Sequence, residues 1–513
     1  MPQTVSTADS KNNFKRNTLI NILFFIFNGL TSFFMVPYQI KYLGIASYGM
    51  VSLANSFVAY TQILTTTLVG TVIRFVTYHL AWEEMDEARS YLNTQFVMSN
   101  VFFACFLPIA VAISLLTPTF LEIPAGLEND TRILFILVYV AFLVTIYCCS
   151  YQVPQFAKQR FDIKYGIEIG SQTIRYGTWI VVFNLLCLTP ALWHIGLGYV
   201  LGAAFIITTT VISSRKLMPD MQPSLKGFDK GKCREMLGMG SWFTVDQIGA
   251  VLYLSIDVLI INRTLGPEAT GEYATVLGLA IMLRGIASTM SSMVTPVAVA
   301  CYARGDYDGL VRNSCRASKF VSVGMALLLG AVCGLAKPIL GWWLGEKFVK
   351  LVPLVWWLMA HHVINCGVMP LFGVNLAANK IKVPGIATCI GGVFKVVLSV
   401  LLIKCTNLGI YGVAIGGMVA FTLKNALFTP YYAGKVIGRS SLPFFASLVP
   451  SILVLAAVSG LGTWAANTFD LAKFLLLAPS GIFLLVFGAL FAWFIAFTSE
   501  DRDFFKNVLK KKS

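Results

Sequence analysis

The chain is poor in charge. Only 12% of its 513 residues are Asp, Glu, Lys or Arg, and 57% are hydrophobic. That excludes a water-soluble domain, in which about a quarter of residues carry charge. Acids are scarcer than bases, 24 against 39, for a formal net charge of +15. There are only four His, without metal-ligand spacing, and the 11 Cys form no C-x-x-C or Cys/His cluster. The usual zinc and thiol-redox frameworks are therefore excluded, and no cofactor or metal is expected. Apolar and polar residues do not alternate over stretches of about 10, as barrel strands require. Every segment outside the apolar runs is short, so none could fold alone as a catalytic ectodomain.

Long apolar runs fill the chain instead. Fourteen read as membrane-spanning helices, at 17–40, 49–77, 91–116, 132–157, 163–187, 192–214, 236–262, 271–300, 317–337, 351–376, 382–404, 409–433, 443–466 and 472–497. The fold class is all-α, a polytopic integral membrane protein. The first run is too long for a signal-peptide core, and no A-x-A site follows it. Fourteen spans put both ends on one side. Loops and tails on that side carry 26 Lys and Arg, against 8 opposite. Positive charge marks the cytoplasmic face, so both termini are expected there. The surplus there suits topology and anionic membrane lipids rather than nucleic acid.

The two sides of the basic segment 215–235 resemble each other. Leu43-Gly44 followed by Gly49 returns as Leu265-Gly266 followed by Gly271, an offset of 222. Thr67, Val72 and Ala81 match Thr289, Val294 and Ala303 at that offset. Gln159 and Arg160 match Asn379 and Lys380 at an offset of 220, which also sets Arg175 against Lys395. Gly198-x-x-x-Gly202 matches Gly412-x-x-x-Gly416 at 214. The expected organisation follows. A tail (1–16) leads into an N-lobe of six helices (17–214). A linker (215–235) precedes a C-lobe of six helices (236–433). Two further helices (443–497) and a basic tail (498–513) complete the chain. An even-numbered repeat inserts in the same direction twice, so a pseudo-two-fold along the membrane normal is expected. The paired G-x-x-x-G segments allow close helix packing.

Five cations fall more than two residues inside spans, Arg74, Arg175, Arg284, Lys395 and Lys424, and those at span ends are counted with the loops. Four lie deep, and Arg74 lies near an end where a long side chain can snorkel. A cation at the bilayer centre costs on the order of 2.5–3.5 kcal/mol by insertion scales. Asp246 and Asp257 are the comparably deep carboxylates, which leaves the interior positive. Two readings are open: the cations bind an anionic substrate, or they pair with these carboxylates. Asp246 and Asp257 are candidates for sensing a coupling proton or Na⁺, or fixed counter-ions. Glu168, two turns before Arg175, is a candidate to orient it. Trp342-Trp343 and Trp356-Trp357 suit an interfacial aromatic belt.

The pattern Tyr42-Leu43-Gly44-x-x-x-Tyr48-Gly49, and again Leu265-Gly266-Pro267-Glu268-Ala269-Thr270-Gly271-Glu272-Tyr273, resembles an element of polysaccharide flippases of the Wzx type. These belong to the superfamily of multidrug, oligosaccharidyl-lipid and polysaccharide exporters. The resemblance implies a two-lobed fold with a central cavity that alternates its access. It implies a polyprenyl-pyrophosphate-linked oligosaccharide as cargo, flipped across the cell (inner) membrane, with polysaccharide assembly proteins as candidate partners. The lipid II flippases carry arginines in the first helix and the drug exporters a carboxylate in an early one. Here the first run holds no charge. Alternatives are a cation-coupled small-molecule exporter and, in another class, a membrane-embedded polysaccharide polymerase or ligase. The first would favour an anionic interior, and the second needs a large outer loop. A non-transporting scaffold would not explain the buried cations.

The charge bias generates a test of topology. Reporter fusions after Ser513 and at Lys226 are expected to read cytoplasmic, and one near Glu128 external. A cytoplasmic reading at Glu128 would overturn the helix count in the first half.

Overall fold

The computed structural model describes residues 7–186, 189–469, 471 and 474–503. Among these, every regular element is a helix. That follows from the solvent: in hydrocarbon each backbone N–H and C=O must be paired within its own segment. The chain forms α1 (Thr7–Leu43), α2 (Ile45–Ala81), α3 (Met85–Leu115), α4 (Glu128–Tyr147 and Cys149–Ala157), and α5 (Phe161–Ile180, then a π-helical turn Val181–Leu185). It continues through α6 (Leu192–Leu217), α7 (Lys230–Leu254), α8 (Asp257–Ser292 and Thr295–Ala303) and α9 (Tyr307–Gly334). Then come α10 (Val352–Met359, His362–Gly367 and Pro370–Ala377), α11 (Lys382–Cys405), and α12 (Ile410–Thr422, a π-helical turn Leu423–Phe428, and Thr429–Ile437). The last are α13 (Leu442–Ala446 and Val449–Thr468) and α14 (Phe474–Ile495).

Each of the fourteen expected runs has its helix. Among the described residues, 11 stretches are long and apolar enough to cross a membrane. One of them, Gln247–Ala303, holds two expected spans, because the helix bends at Gly266 without ending. α2 and α5 fall outside the set; in α5, Lys164, Glu168 and Arg175 crowd its 20 residues. Three of the breaks within spans are followed by proline. Pro296, Pro370 and Pro450 each sit in the first turn of a helical segment that follows a break, where a missing N–H costs nothing. Pro108 and Pro154 lie inside helices.

Contacts divide the chain into two compact units. One comprises Met1–Val251 with Val258–Gly271, the other Leu252–Asp257 with Glu272–Ser513. The division does not fall in the segment 215–235, because that segment is fastened to α3 inside the first unit. Arg89 donates to the Asp220 carbonyl at 2.7 Å, the Ser224 amide donates to Asn93 Oδ1 at 2.9 Å, and the Asp229 amide donates to Thr94 Oγ1 at 3.1 Å. Lys232 pairs with Glu87 at 2.5 Å, and the Tyr91 hydroxyl donates to Glu235 at 2.6 Å. Asp229 then caps α7, accepting from the amides of Gly231 and Lys232, and those bonds hold its carboxyl below the usual range. In the second unit, the chain beyond α14 folds back on α9. Asp501 there bridges Arg316 at 3.2 Å and Lys319 at 2.7 Å.

The internal repeat is written in the backbone. Gly44 and Gly266 share φ of 84° and 86°. Glu83 and Gly305, again 222 apart, have φ of 63° and 72°, and Gln159 and Asn379 both have 52°. The turns match in their hydrogen bonds. The Arg160 amide donates to the Gln155 carbonyl at 2.7 Å, and the Lys380 amide to the Asn375 carbonyl at 2.9 Å. A left-handed residue at equivalent places in both copies is costly for non-glycine side chains, so its recurrence at Gln159 and Asn379 is specific. The paired G-x-x-x-G segments also act alike. A Cβ on Gly202 would lie 3.0 Å from Ser171 Oγ on α5, and one on Gly416 would lie 2.6 Å from Ser399 Oγ on α11. Glycine thus seats α6 on α5 and α12 on α11.

Within the first unit, the start of α2 meets its equivalent in α8. A Cβ on Gly49 would lie 2.9 Å from both the Pro267 carbonyl oxygen and the Gly271 amide nitrogen. A Cβ on Gly271 would run into the Ile45 carbonyl oxygen. Ile45 and Pro267 are equivalents at 222, as are Gly49 and Gly271. The contact is therefore reciprocal, as contacts about a local two-fold are. Gly271→Ala is expected to cost about 1–3 kcal/mol, because the obstacle is backbone rather than a movable side chain. A lowered melting temperature of the purified protein checks this; unchanged melting would contradict the close approach.

Candidate functional site

In the second unit, α7 ends at Leu254, and α8 starts at Asp257 after the turn residues Ser255 and Ile256. The last carbonyls of a helix have no partner further along it, and the helix dipole makes that end negative. Lys395 of α11 answers both. Its Nζ donates to the Tyr253 carbonyl at 2.5 Å and pairs with Asp257 Oδ1 at 2.6 Å. The other carboxylate oxygen of Asp257 accepts from the Tyr273 hydroxyl at 2.7 Å. The Lys395 and Asp257 side chains are 1% and 5% exposed, so the ammonium is closed off from any substrate in this conformation. Its stem passes Gly417 of α12, where a Cβ would lie 3.4 Å from Lys395 Cε.

Phe421 sits at the centre of this group. Its ring lies under Lys395 at 5.7 Å and under the Arg284 guanidinium at 5.8 Å, and packs edge-on against Tyr253 at 4.4 Å. Arg284 and Lys395 line one cavity with His361, His362 and Asp257. Its volume is about 30 Å³, the share of a single water in the liquid. The residues are brought together by α8, α10, α11 and α12. His361 Nδ1 lies 2.6 Å from the Asn365 amide nitrogen Nδ2 and 3.3 Å from His362 Nδ1. Arg284 is different from Lys395. Its Nη1 is buried and, among the described residues, has no hydrogen-bond partner. The local balance is two cations against the one carboxylate of Asp257.

In the first unit, Arg175 lies in an aromatic cage. Its guanidinium sits 4.7 Å from the Tyr176 ring, 4.9 Å from Tyr199 and 5.9 Å from Trp179. Nη2 donates to the Tyr176 hydroxyl at 2.9 Å, while Nε is buried without a partner among the described residues. Ring faces carry negative potential and answer part of a cation's charge. Glu168, earlier on α5, contributes to the field at Arg175. The remaining expected cations lie apart from these groups. Lys424 is on the π-helical turn of α12, 5.1 Å above the Phe372 ring, and Arg74 is exposed on α2. The side chain of Asp246 lies outside the described residues.

The expectation from sequence treated the four histidines only as metal ligands and so passed over His361 and His362. Two adjacent imidazoles inside an apolar run were the available signal. Asn262, in a glycosylation-type sequence, is buried, and its amide exchanges bonds with the Glu122 backbone at 3.0 and 2.9 Å.

The family described as "Polysaccharide biosynthesis protein" matches residues 14–300. The chain is 28% identical to "Uncharacterized membrane protein EpsK" of Bacillus subtilis (strain 168), over 97% of this chain and 98% of that one. Among solved structures it is similar to "Lipid II flippase MurJ, inward closed conformation". The TM-score there is 0.65 at 15% identity, covering 93% of this chain and 98% of that one. It is also similar to an inward-facing multidrug resistance MATE family transporter of the MOP superfamily. That match has a TM-score of 0.59 at 11% identity and covers 88% and 96%. Both likenesses are of fold alone: all-helical and multi-pass.

Breaking the buried pair on one side should be costly. Asp257→Asn is expected to lose about 3–5 kcal/mol, because an uncompensated ammonium is left inside, and Lys395→Met in the same chain should recover most of it. Melting curves of both variants decide. A single variant that melts like the parent would mean that the pair is not holding the second unit.

Proposed function

Because the chain belongs to the polysaccharide biosynthesis protein family, we propose that it flips a polyprenyl-pyrophosphate-linked oligosaccharide from the cytoplasmic to the outer leaflet. The cell (inner) membrane is its site of action, with both termini cytoplasmic. Polysaccharide assembly proteins would receive the product. The observation that carries this reading is the buried, unpartnered Nη1 of Arg284 in a group whose cations outnumber its carboxylate. An unpartnered guanidinium in hydrocarbon is a standing cost, and an anionic cargo repays it. A small cationic drug would raise that cost instead.

A pyrophosphate brings about two negative charges into a low dielectric. Arg284 meets them with a planar fork that can hold two phosphate oxygens at once. Arg175, with Glu168 orienting it, is the corresponding cation of the first unit. Lys424 and Arg74 are further cations for the cargo's path. A cavity of about 30 Å³ admits water but not a pyrophosphate. Loading therefore requires a conformation in which this group opens, as alternating access provides. Asp246, whose side chain lies outside the described residues, is the candidate for a coupling proton.

The test separates binding from folding. Arg284→Ala is expected to abolish polysaccharide export while the protein still inserts and melts normally. Arg284→Lys should restore only part, since an ammonium lacks the fork. Export unaffected by Arg284→Ala would remove the reading. So would lost insertion that a second, carboxylate-removing change repairs.

A further inference from the structure

The break between α7 and α8 offers a small cation three things at once. The last turn of α7 presents the Tyr253 carbonyl at the negative end of a helix, Asp257 supplies a carboxylate, and the Phe421 ring covers the third side. Interrupted membrane helices hold ions in this way, with helix-end carbonyls as ligands. Here the place is filled by the chain itself. The Lys395 ammonium stands 2.5 Å and 2.6 Å from the two oxygens, distances at which a bound metal cation would also sit.

We infer that Lys395 is a built-in cation that occupies an ion place at the α7–α8 break, so that this place takes no Na⁺ or K⁺ from solution. The charge balance requires an occupant. Without Lys395, Asp257 keeps the Tyr273 hydroxyl as its one side-chain donor among the described residues. An anion would then face a nonpolar interior beside a cavity with room for one water. Arg284, His361 and His362 line that cavity. The segment held, Leu252–Asp257, is a short passage of the second unit that lies, along the chain, between two stretches of the first. A permanently tethered cation would fix that passage without an ion gradient. The inference does not depend on the cargo, and its readout needs none.

The test uses the full chain, purified into lipid nanodiscs, with thermal melting read in sodium, potassium, methylammonium and choline chloride at one ionic strength. The wild type is expected to melt at the same temperature in all four. Lys395→Ala should melt several degrees lower in choline chloride and regain at least half of that loss in sodium or methylammonium chloride. With Asp257→Asn added, the regain should vanish. If Lys395→Ala does not fold, Lys395→Gln keeps the length and removes the charge. The wild type also decides alone: stabilisation by Na⁺ or K⁺ over choline would overturn the inference. A variant whose loss no small cation repairs would overturn it as well.

Discussion

Hydrocarbon cannot solvate charge, so a cation inside a membrane bundle must be answered by the protein or by what it carries. Three of the cations within spans are answered to different degrees. Lys395 is answered by a carboxylate, a helix-end carbonyl and a ring. Arg175 is partly satisfied by three aromatic faces and a tyrosine hydroxyl. Arg284 keeps a buried nitrogen without a partner among the described residues. Buried cations thus do different work according to their answer. A paired one ties helices together, and an unpaired one is where we propose that an anion binds.

The same constraint shapes the backbone. Helices run as far as they can, and where they break, the freed groups are taken up at once. The α7–α8 break is closed by Lys395, and the breaks in α8, α10 and α13 restart at Pro296, Pro370 and Pro450, which need no N–H partner. Close packing is left to glycine. Gly202 and Gly416 let α6 and α12 lie on α5 and α11, and this packing sets the positions of Arg175 and Lys395. Local sequence thereby places the charges on which a transport reading rests.

Much of this was legible in the sequence because its signals are local. Apolar runs marked the fourteen helices, and the offset of 222 marked turns that share left-handed φ at Gly44 and Gly266. The pair Gln159 and Asn379 was legible only as a weak match, yet both adopt φ of 52°. What sequence withheld depends on distance along the chain. Asp257 and Lys395 are far apart in sequence, and spacing gives no hint that they meet. The fastening of the segment 215–235 to α3 rests on single polar bonds from Arg89, Asn93 and Thr94, which no periodicity announces. His361 and His362 were visible as residues, but their company with Arg284 arises from the packing of four helices.

The central claim is that the cargo is recognised through its pyrophosphate. The most direct measurement is native mass spectrometry of the purified protein with three lipids: a polyprenyl-pyrophosphate-linked oligosaccharide, the same oligosaccharide on an uncharged polyprenyl ether, and a phospholipid of matched charge. The account predicts selective retention of the first, lost in Arg284→Ala, with the uncharged analogue failing to bind. Equal retention of the uncharged analogue, or retention of the pyrophosphate lipid unaffected by Arg284→Ala, would contradict it.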